Sequence, residues 1–134
     1  MGAKVAPPLI AYLDTNAVIW LAAGRTASLS PRAAKLLETS DLLISAMVLL
    51  ELEMLHKAGG LAQGANEILA HMAQRIGLGV CQLPMAAIVD QAISVNWTRE
   101  PGDRLIVANA MARNEAPLIT SDRRIREHYS NAIW

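Results

Sequence analysis

A single cysteine, Cys81, leaves no internal disulfide to form and no thiolate cluster for zinc, and it suits a reducing cytoplasm. Its simplest role is a small buried side chain in the apolar run from Val80 to Leu83. Histidine is scarce as well. His56, His71 and His128 are widely scattered, lack metal-ligand spacing and read as surface residues, which argues against a zinc site. No apolar run approaches the ~20 residues that a bilayer span needs, because Asp14, Glu51 and Glu53 interrupt the longest ones. The N-terminal MGAKVAPPLI has one Lys and no extended apolar stretch before Asp14, so it does not resemble a secretory signal. The expectation is a soluble, cytoplasmic protein with no membrane partner.

Net charge is also missing. With 12 basic and 12 acidic residues the formal charge is zero, which by itself argues against a nucleic-acid partner. Distribution argues the other way, because Arg99, Arg104, Arg113, Arg123, Arg124 and Arg126 place half of the 12 bases in the last third of the chain. If four of the 12 acids are committed to a cation, eight remain against 12 bases, a surplus of four positive charges. Singly, each arginine is equally well an ordinary solvated residue.

What is present is apolar content, 53% of 134 residues, enough for one domain (1–134) around one core, with 1–8 as an N-terminal tail. A strand is predicted over Leu9 to Leu13, followed by a helix that Thr15 or Asn16 can cap and that runs to Gly24. Ser30-Pro31 starts a helix to about Thr39. Leu42 to Ile44 forms the next strand, and Ser45 caps a helix ending at Gly59-Gly60. A helix over Ala65 to Arg75, a strand over Gly79 to Leu83 and a helix from Pro84 to about Asn96 come next. Beyond Pro101-Gly102, a helix starts near Asp103, then a strand spans Pro117 to Thr120, a short helix follows Arg123, and a terminal strand covers Ala132 to Trp134. Continuously apolar strands alternating with helices predict an α/β fold with a mainly parallel sheet covered on both faces.

Four acids sit just past the ends of apolar runs: Asp14, Glu51, Asp103 and Asp122. In open parallel sheets, sites form outside the carboxyl ends of the strands. Asp14 can be a helix cap, but Thr15 and Asn16 already offer that service, leaving Asp14 one place too early. Asp122 has the same ambiguity, with Ser121 as the other cap. Glu51 and Glu53, two positions apart, face nearly opposite sides of their helix. Glu53 has Lys57 four residues on as a surface partner. Glu51 has Met47, Val48 and Leu55 as neighbours, and a carboxylate on an apolar stripe is costly unless paired or ligating a metal. Asp103 opens a helix, where an acid also favours the positive helix end. Trp20, Trp97 and Trp134 can stack on bases, though core or subunit-interface packing explains them more simply.

These segments carry a family resemblance. Leu13-Asp14-Thr15-Asn16-Ala17-Val18-Ile19-Trp20, then Ile44-Ser45 with Glu51-Leu52, then Asp103-Arg104-Leu105-Ile106-Val107-Ala108, and finally Ala116-Pro117-Leu118-Ile119-Thr120-Ser121-Asp122 follow one another in the order and spacing of PIN-domain ribonucleases. The chain resembles in particular the VapC-type toxins of toxin-antitoxin pairs. The resemblance implies a PIN-like three-layer α/β/α sandwich and metal binding by Asp14, Glu51, Asp103 and Asp122. It assigns supporting roles to Thr15, Asn16, Thr120 and Ser121. It also implies an RNA substrate, an antitoxin partner, a homodimer, and products with a 5′-phosphate and a 3′-hydroxyl. Arg104 and Arg123 are the candidate substrate-facing cations.

Four converging carboxylates repel one another and call for a cation or bound protons. All-oxygen ligation suits Mg²⁺ or Mn²⁺. Two other classes fit parts of the pattern. Asp14 after the first strand is also the nucleophile position of an aspartyl-phosphate phosphotransferase, but Asn16 stands where such enzymes want a second Asp. A non-catalytic interaction module would use the acids only as caps and as contacts for a basic partner.

Overall fold

The computed structural model describes residues 9–134, and the expected tail at 1–8 lies outside the described residues. The elements run β1 (Ile10–Leu13), α1 (Thr15–Ala22), α2 (Pro31–Thr39), β2 (Asp41–Ile44), α3 (Ala46–Lys57), α4 (Ala65–Ile76) and β3 (Gly79–Val80). They continue with α5 (Met85–Ala92), α6 (Pro101–Ala112), β4 (Leu118–Ile119), α7 (Arg123–His128) and β5 (Ala132–Ile133). All pairings are parallel in one sheet ordered β3-β2-β1-β4-β5, which is the α/β/α arrangement the alternation predicts.

The order has a physical consequence for function. The chain steps from β1 outward to β2 and β3, then returns to the other side of β1 with β4 and β5. Connections on the two sides diverge at β1 and β4, and that switch point opens a crevice at the carboxyl ends of the strands. β1 is central and buried at Ala11, Tyr12 and Leu13, which accounts for its uninterrupted apolar sequence. Tyr12, Leu13, Ile44, Leu52, Ile106, Leu118, Ile119 and Ile125 are almost wholly buried, each contributing about 1.5–3 kcal/mol by removal from water.

The caps behave largely as the sequence predicts. Ser30 accepts from the Ala33 amide at 3.1 Å with Pro31 in the first helical position, and Ser45 accepts from Met47 at 3.1 Å. Of the boundaries that differ, three have a clear local cause. β3 stops at Val80, because the chain bends once the Cys81 amide has bonded Ile44 at 2.8 Å, and Pro84 has no amide to extend an edge. α5 ends at Ala92 rather than near Asn96, since Ser94 and Val95 bond three residues back and the Ser94 hydroxyl takes the Gln91 carbonyl at 2.8 Å. α6 begins at Pro101, two residues before Asp103, with the proline in the first turn where its missing N–H costs nothing.

Cys81 is buried as expected, yet it is not a bare apolar filler. Its Sγ accepts from the Tyr12 hydroxyl at 3.2 Å, Asn109 Nδ2 at 3.1 Å and the Leu83 amide at 3.4 Å. Burial pushes the thiol up, but these donors together with Arg113 bring it below its ordinary range. This network ties β1, the end of β3 and α6 together across the sheet.

Candidate active site

Asp14 is fixed by its own backbone. Its amide bonds the Ile119 carbonyl at 3.0 Å, so the residue ends β1 against β4, and it is also the residue that caps α1. The sequence expectation that Thr15 or Asn16 serves as cap is thereby corrected: the helix starts one residue earlier, and Thr15 is freed for another task. Asp14 Oδ1 accepts from the Thr15 amide at 2.7 Å, while Oδ2 accepts from the Thr120 hydroxyl at 2.7 Å. Thr15 turns its own hydroxyl to Glu51 Oε1 on α3, at 2.5 Å.

Thr120 closes the other side. Its amide bonds the Ile133 carbonyl at 2.9 Å, its hydroxyl donates to Asp14, and the same oxygen accepts from the Asp122 amide at 3.0 Å. Asp122, not Ser121, caps α7, taking the Ile125 amide on Oδ1 at 2.9 Å. A continuous chain of hydrogen bonds therefore runs Glu51, Thr15, Asp14, Thr120, Asp122, spanning the helix after β2 and the ends of β1 and β4.

Asp103 faces this chain from the first turn of α6. The approach between α6 and α3 depends on Gly102: a β-carbon there would collide with Glu51 Oε2 and stand 3.2 Å from its Cδ. Asp14, Glu51, Asp103 and Asp122, with Thr15 and Asn16, line one cleft of about 490 Å³ rimmed by Met47, Met54, Leu55 and Pro101. Glu100 lines it too, a position the sequence pattern gives no reason to single out.

The acids feel one another. The Asp103 carboxyl is pushed up to about 6, first by burial and then by the charges of Asp122, Asp14, Glu51 and Glu100. Asp14 is also raised, by burial above all; hydrogen bonds from Thr120 and Thr15 oppose this, and the charges of Glu51 and Asp122 add to it. Among the described residues, no three carboxylate, imidazole or thiol groups stand in a ready-made metal-binding cluster. Asp14, Glu51 and Asp122 each turn at least one oxygen to a protein donor. The donor set is nonetheless all oxygen and rich in negative charge, which in chemistry fits a hard divalent cation and not zinc.

Not every predicted residue reaches the cleft. Arg104 lines the separate apolar cleft with Val89, Ile93 and Leu105, and Arg123 is exposed and pairs with Glu127 at 3.6 Å. Thr120 is wholly buried, and neither it nor Ser121 lines the cleft. Glu53 has the expected Lys57 partner at 3.8 Å, and in addition accepts the Ala65 amide at 3.1 Å, capping α4 from a neighbouring helix because Gly64 has no side chain to do so. Trp20 and Trp134 pack edge to face at 5.7 Å.

A family model for the PIN domain matches residues 11–131. Among solved structures, VapBC2 from Rickettsia felis, bound to a DNA fragment from their promoter, is similar at 20% identity with a TM-score of 0.64, covering 93% of this chain and 96% of that one. A toxin-antitoxin complex from Klebsiella pneumoniae is similar at 19% identity with a TM-score of 0.62, covering 92% and 96%. VapBC-1 from nontypeable Haemophilus influenzae is similar at 21% identity with a TM-score of 0.55, covering 94% and 96%. No match was found among curated proteins. Likeness at these identities is likeness of fold, whereas the family model takes in every acidic residue of the cleft. On that match the chain belongs to the PIN domain family.

Proposed function

We propose that this protein is a Mg²⁺- or Mn²⁺-dependent endoribonuclease that hydrolyses RNA phosphodiester bonds, and that it is the toxin of a VapBC-type pair. The observation that carries the reading is the meeting of Asp14, Glu51, Asp103 and Asp122, from four separate segments, on one cleft at the sheet's switch point. Burial first, and the neighbouring carboxylates after it, raise Asp14 and Asp103, which is what a site able to take up positive charge would show.

Those four acids would hold the ion, Asp122 with the oxygen its capping bond leaves over. Bound there, the cation would supply positive charge that activates an attacking water and steadies the phosphoryl oxygens. The chain's own part is positional. The Thr120 hydroxyl holds Asp14 Oδ2, Thr15 holds Glu51 Oε1, and the sheet holds the Asp14 backbone, so two carboxylates from different elements keep a fixed relation. The apolar rim of Met47, Met54, Leu55 and Pro101 gives unpaired bases surfaces to rest on, which favours single-stranded or looped RNA. The aspartyl-phosphate alternative lacks its second acid, since Asn16 stands two residues after Asp14.

An antitoxin partner is part of the proposal, in keeping with the named neighbours, which are toxin-antitoxin assemblies. Among the described residues no helix is long and apolar enough to cross a membrane. The test is cleavage of a mixed RNA pool with Mg²⁺ or Mn²⁺, with chelator and Asp14→Asn as controls. Loss of a negative ligand of similar size is expected to cost ~100-fold or more in rate with little change in melting temperature. Undiminished cutting by the variant, or in chelator, defeats the assignment.

A further inference from the structure

The loop at 96–100, which leads into α6, meets α7 through three side chains outside the acidic cleft. Trp97 stacks on His128 with ring centroids 4.9 Å apart and planes 3° from parallel. Arg124 lies over the same indole, 6.0 Å from its centroid, and donates from Nη2 to the Trp97 carbonyl. Beside them opens a second cleft of about 320 Å³, lined by Asn96, Trp97, Thr98, Arg99, Glu100 and Arg124. Glu100 also lines the acidic cleft, so the two run together at that residue.

The chemistry of this second cleft is unlike that of the first. One guanidinium bond to a carbonyl leaves the remaining donors of Arg124 free for an anion, and Arg99 is exposed nearby with no ion pair among the described residues. The loop is not slack: Thr98 is buried, and its hydroxyl accepts from the Glu100 amide at 3.2 Å, fixing the residues on either side. Asn96 is exposed and offers both a donor and an acceptor to a base edge. The part of the Trp97 indole that lines the cleft, two arginines and an amide offer a nucleotide an aromatic surface, cations for its phosphate and polar groups for its base. Glu100, between the clefts, repels a phosphate and keeps it on the arginine side.

We infer that this cleft holds one unpaired nucleotide flanking the scissile phosphate of a single-stranded RNA, its base stacked beside Trp97 and its phosphate on Arg99 and Arg124. The inference rests on the nuclease reading for its choice of ligand, and it gives two arginines of the last third, Arg99 and Arg124, a phosphate to bind.

Binding and cleavage separate the two claims. The full chain in chelator is titrated with a short fluorescent single-stranded RNA carrying an abasic nucleotide at each position in turn, and Trp97→Leu and Arg124→Gln are compared with the parent. Each substitution is expected to weaken Kd by about tenfold, and one abasic position should weaken binding to the parent but not to Trp97→Leu. A merely structural brace would not produce that position-specific coupling. If Trp97→Leu fails to fold, Arg124→Gln and Arg99→Gln, both at exposed sites, carry the same measurement. Equal Kd values and identical abasic profiles for parent and variants overturn the subsite. Trp97-dependent binding by a parent that never cleaves RNA with Mg²⁺ or Mn²⁺ supports the subsite and removes the nuclease reading. Cleavage with an unchanged KM in these variants does the reverse.

Discussion

Thr120 carries two obligations on one oxygen, donating to Asp14 and accepting from the Asp122 amide, and it is completely buried. Thr120→Val keeps the shape and removes both bonds. Activity is expected to fall about 10–100-fold through loosened carboxylates, and stability by about 1–3 kcal/mol because a buried amide loses its partner. Rates measured beside urea melts distinguish the two losses. Asp103 makes a prediction for pH. Its carboxyl rises from 3.8 to about 6 in the fold, so between those values the native state holds more protons than the unfolded chain. Stability should therefore fall as pH rises through that window and level off above it. In chelator the protein is expected to melt higher at about pH 5.5 than at about pH 7.5, by an amount limited by solvent screening of a half-exposed group. Asp103→Asn should flatten the difference; an unchanged slope would show that the proton is taken up elsewhere.

At the scale of elements, Gly102 separates packing from propensity. It lies in the first turn of α6, where Ala is favoured over Gly by up to ~1 kcal/mol, yet a β-carbon would strike the Glu51 carboxylate. Gly102→Ala is expected to leave the melting temperature unchanged or slightly raised while activity drops at least about tenfold, because Glu51 must swing away from Asp103. Parallel losses of both would point instead to a general misfit of α6 on α3. Much of this geometry was legible from the sequence. Ser30-Pro31, Ser45 and the Gly59-Gly60 stop act locally, through bonds reaching two to five residues, and local chemistry is what a sequence displays. The Asp14 cap is hidden from local chemistry because the sheet, not the helix, fixes where β1 ends: the Ile119 carbonyl that holds its amide is more than a hundred positions away. Glu53 as a cap for α4 and Gly102 against Glu51 were hidden for the same reason. Arg104 and Arg123 failed to reach the cleft because neighbours in sequence point in different directions on a helix.

Across the whole molecule, strand order is the property that no local pattern revealed, although parallel pairing followed from the alternation of elements. Surface chemistry then becomes readable only once the fold is known. Met85, Val89 and Ile93, at four-residue spacing on and just after α5, form an exposed apolar stripe, with Ile93 70% exposed. Apolar clefts flank the stripe, one with Met47, Leu50, Leu83 and Leu105 and the other with Ala92 and Pro101. Contiguous exposed apolar surface marks an interaction site, and a formal charge of zero puts little long-range repulsion between two copies. A homodimer packed through α5 is the assembly these features favour. Light scattering at about 50 μM, above the micromolar dissociation constants of modest interfaces, is expected to return twice the chain mass for the parent and the chain mass for Ile93→Lys. Ile93 is exposed in the single chain, so the lysine should leave the monomer's stability within about 0.5 kcal/mol of the parent's. A parent that runs as a monomer would assign the stripe to a different partner, and a dimer that survives Ile93→Lys would move the interface away from α5.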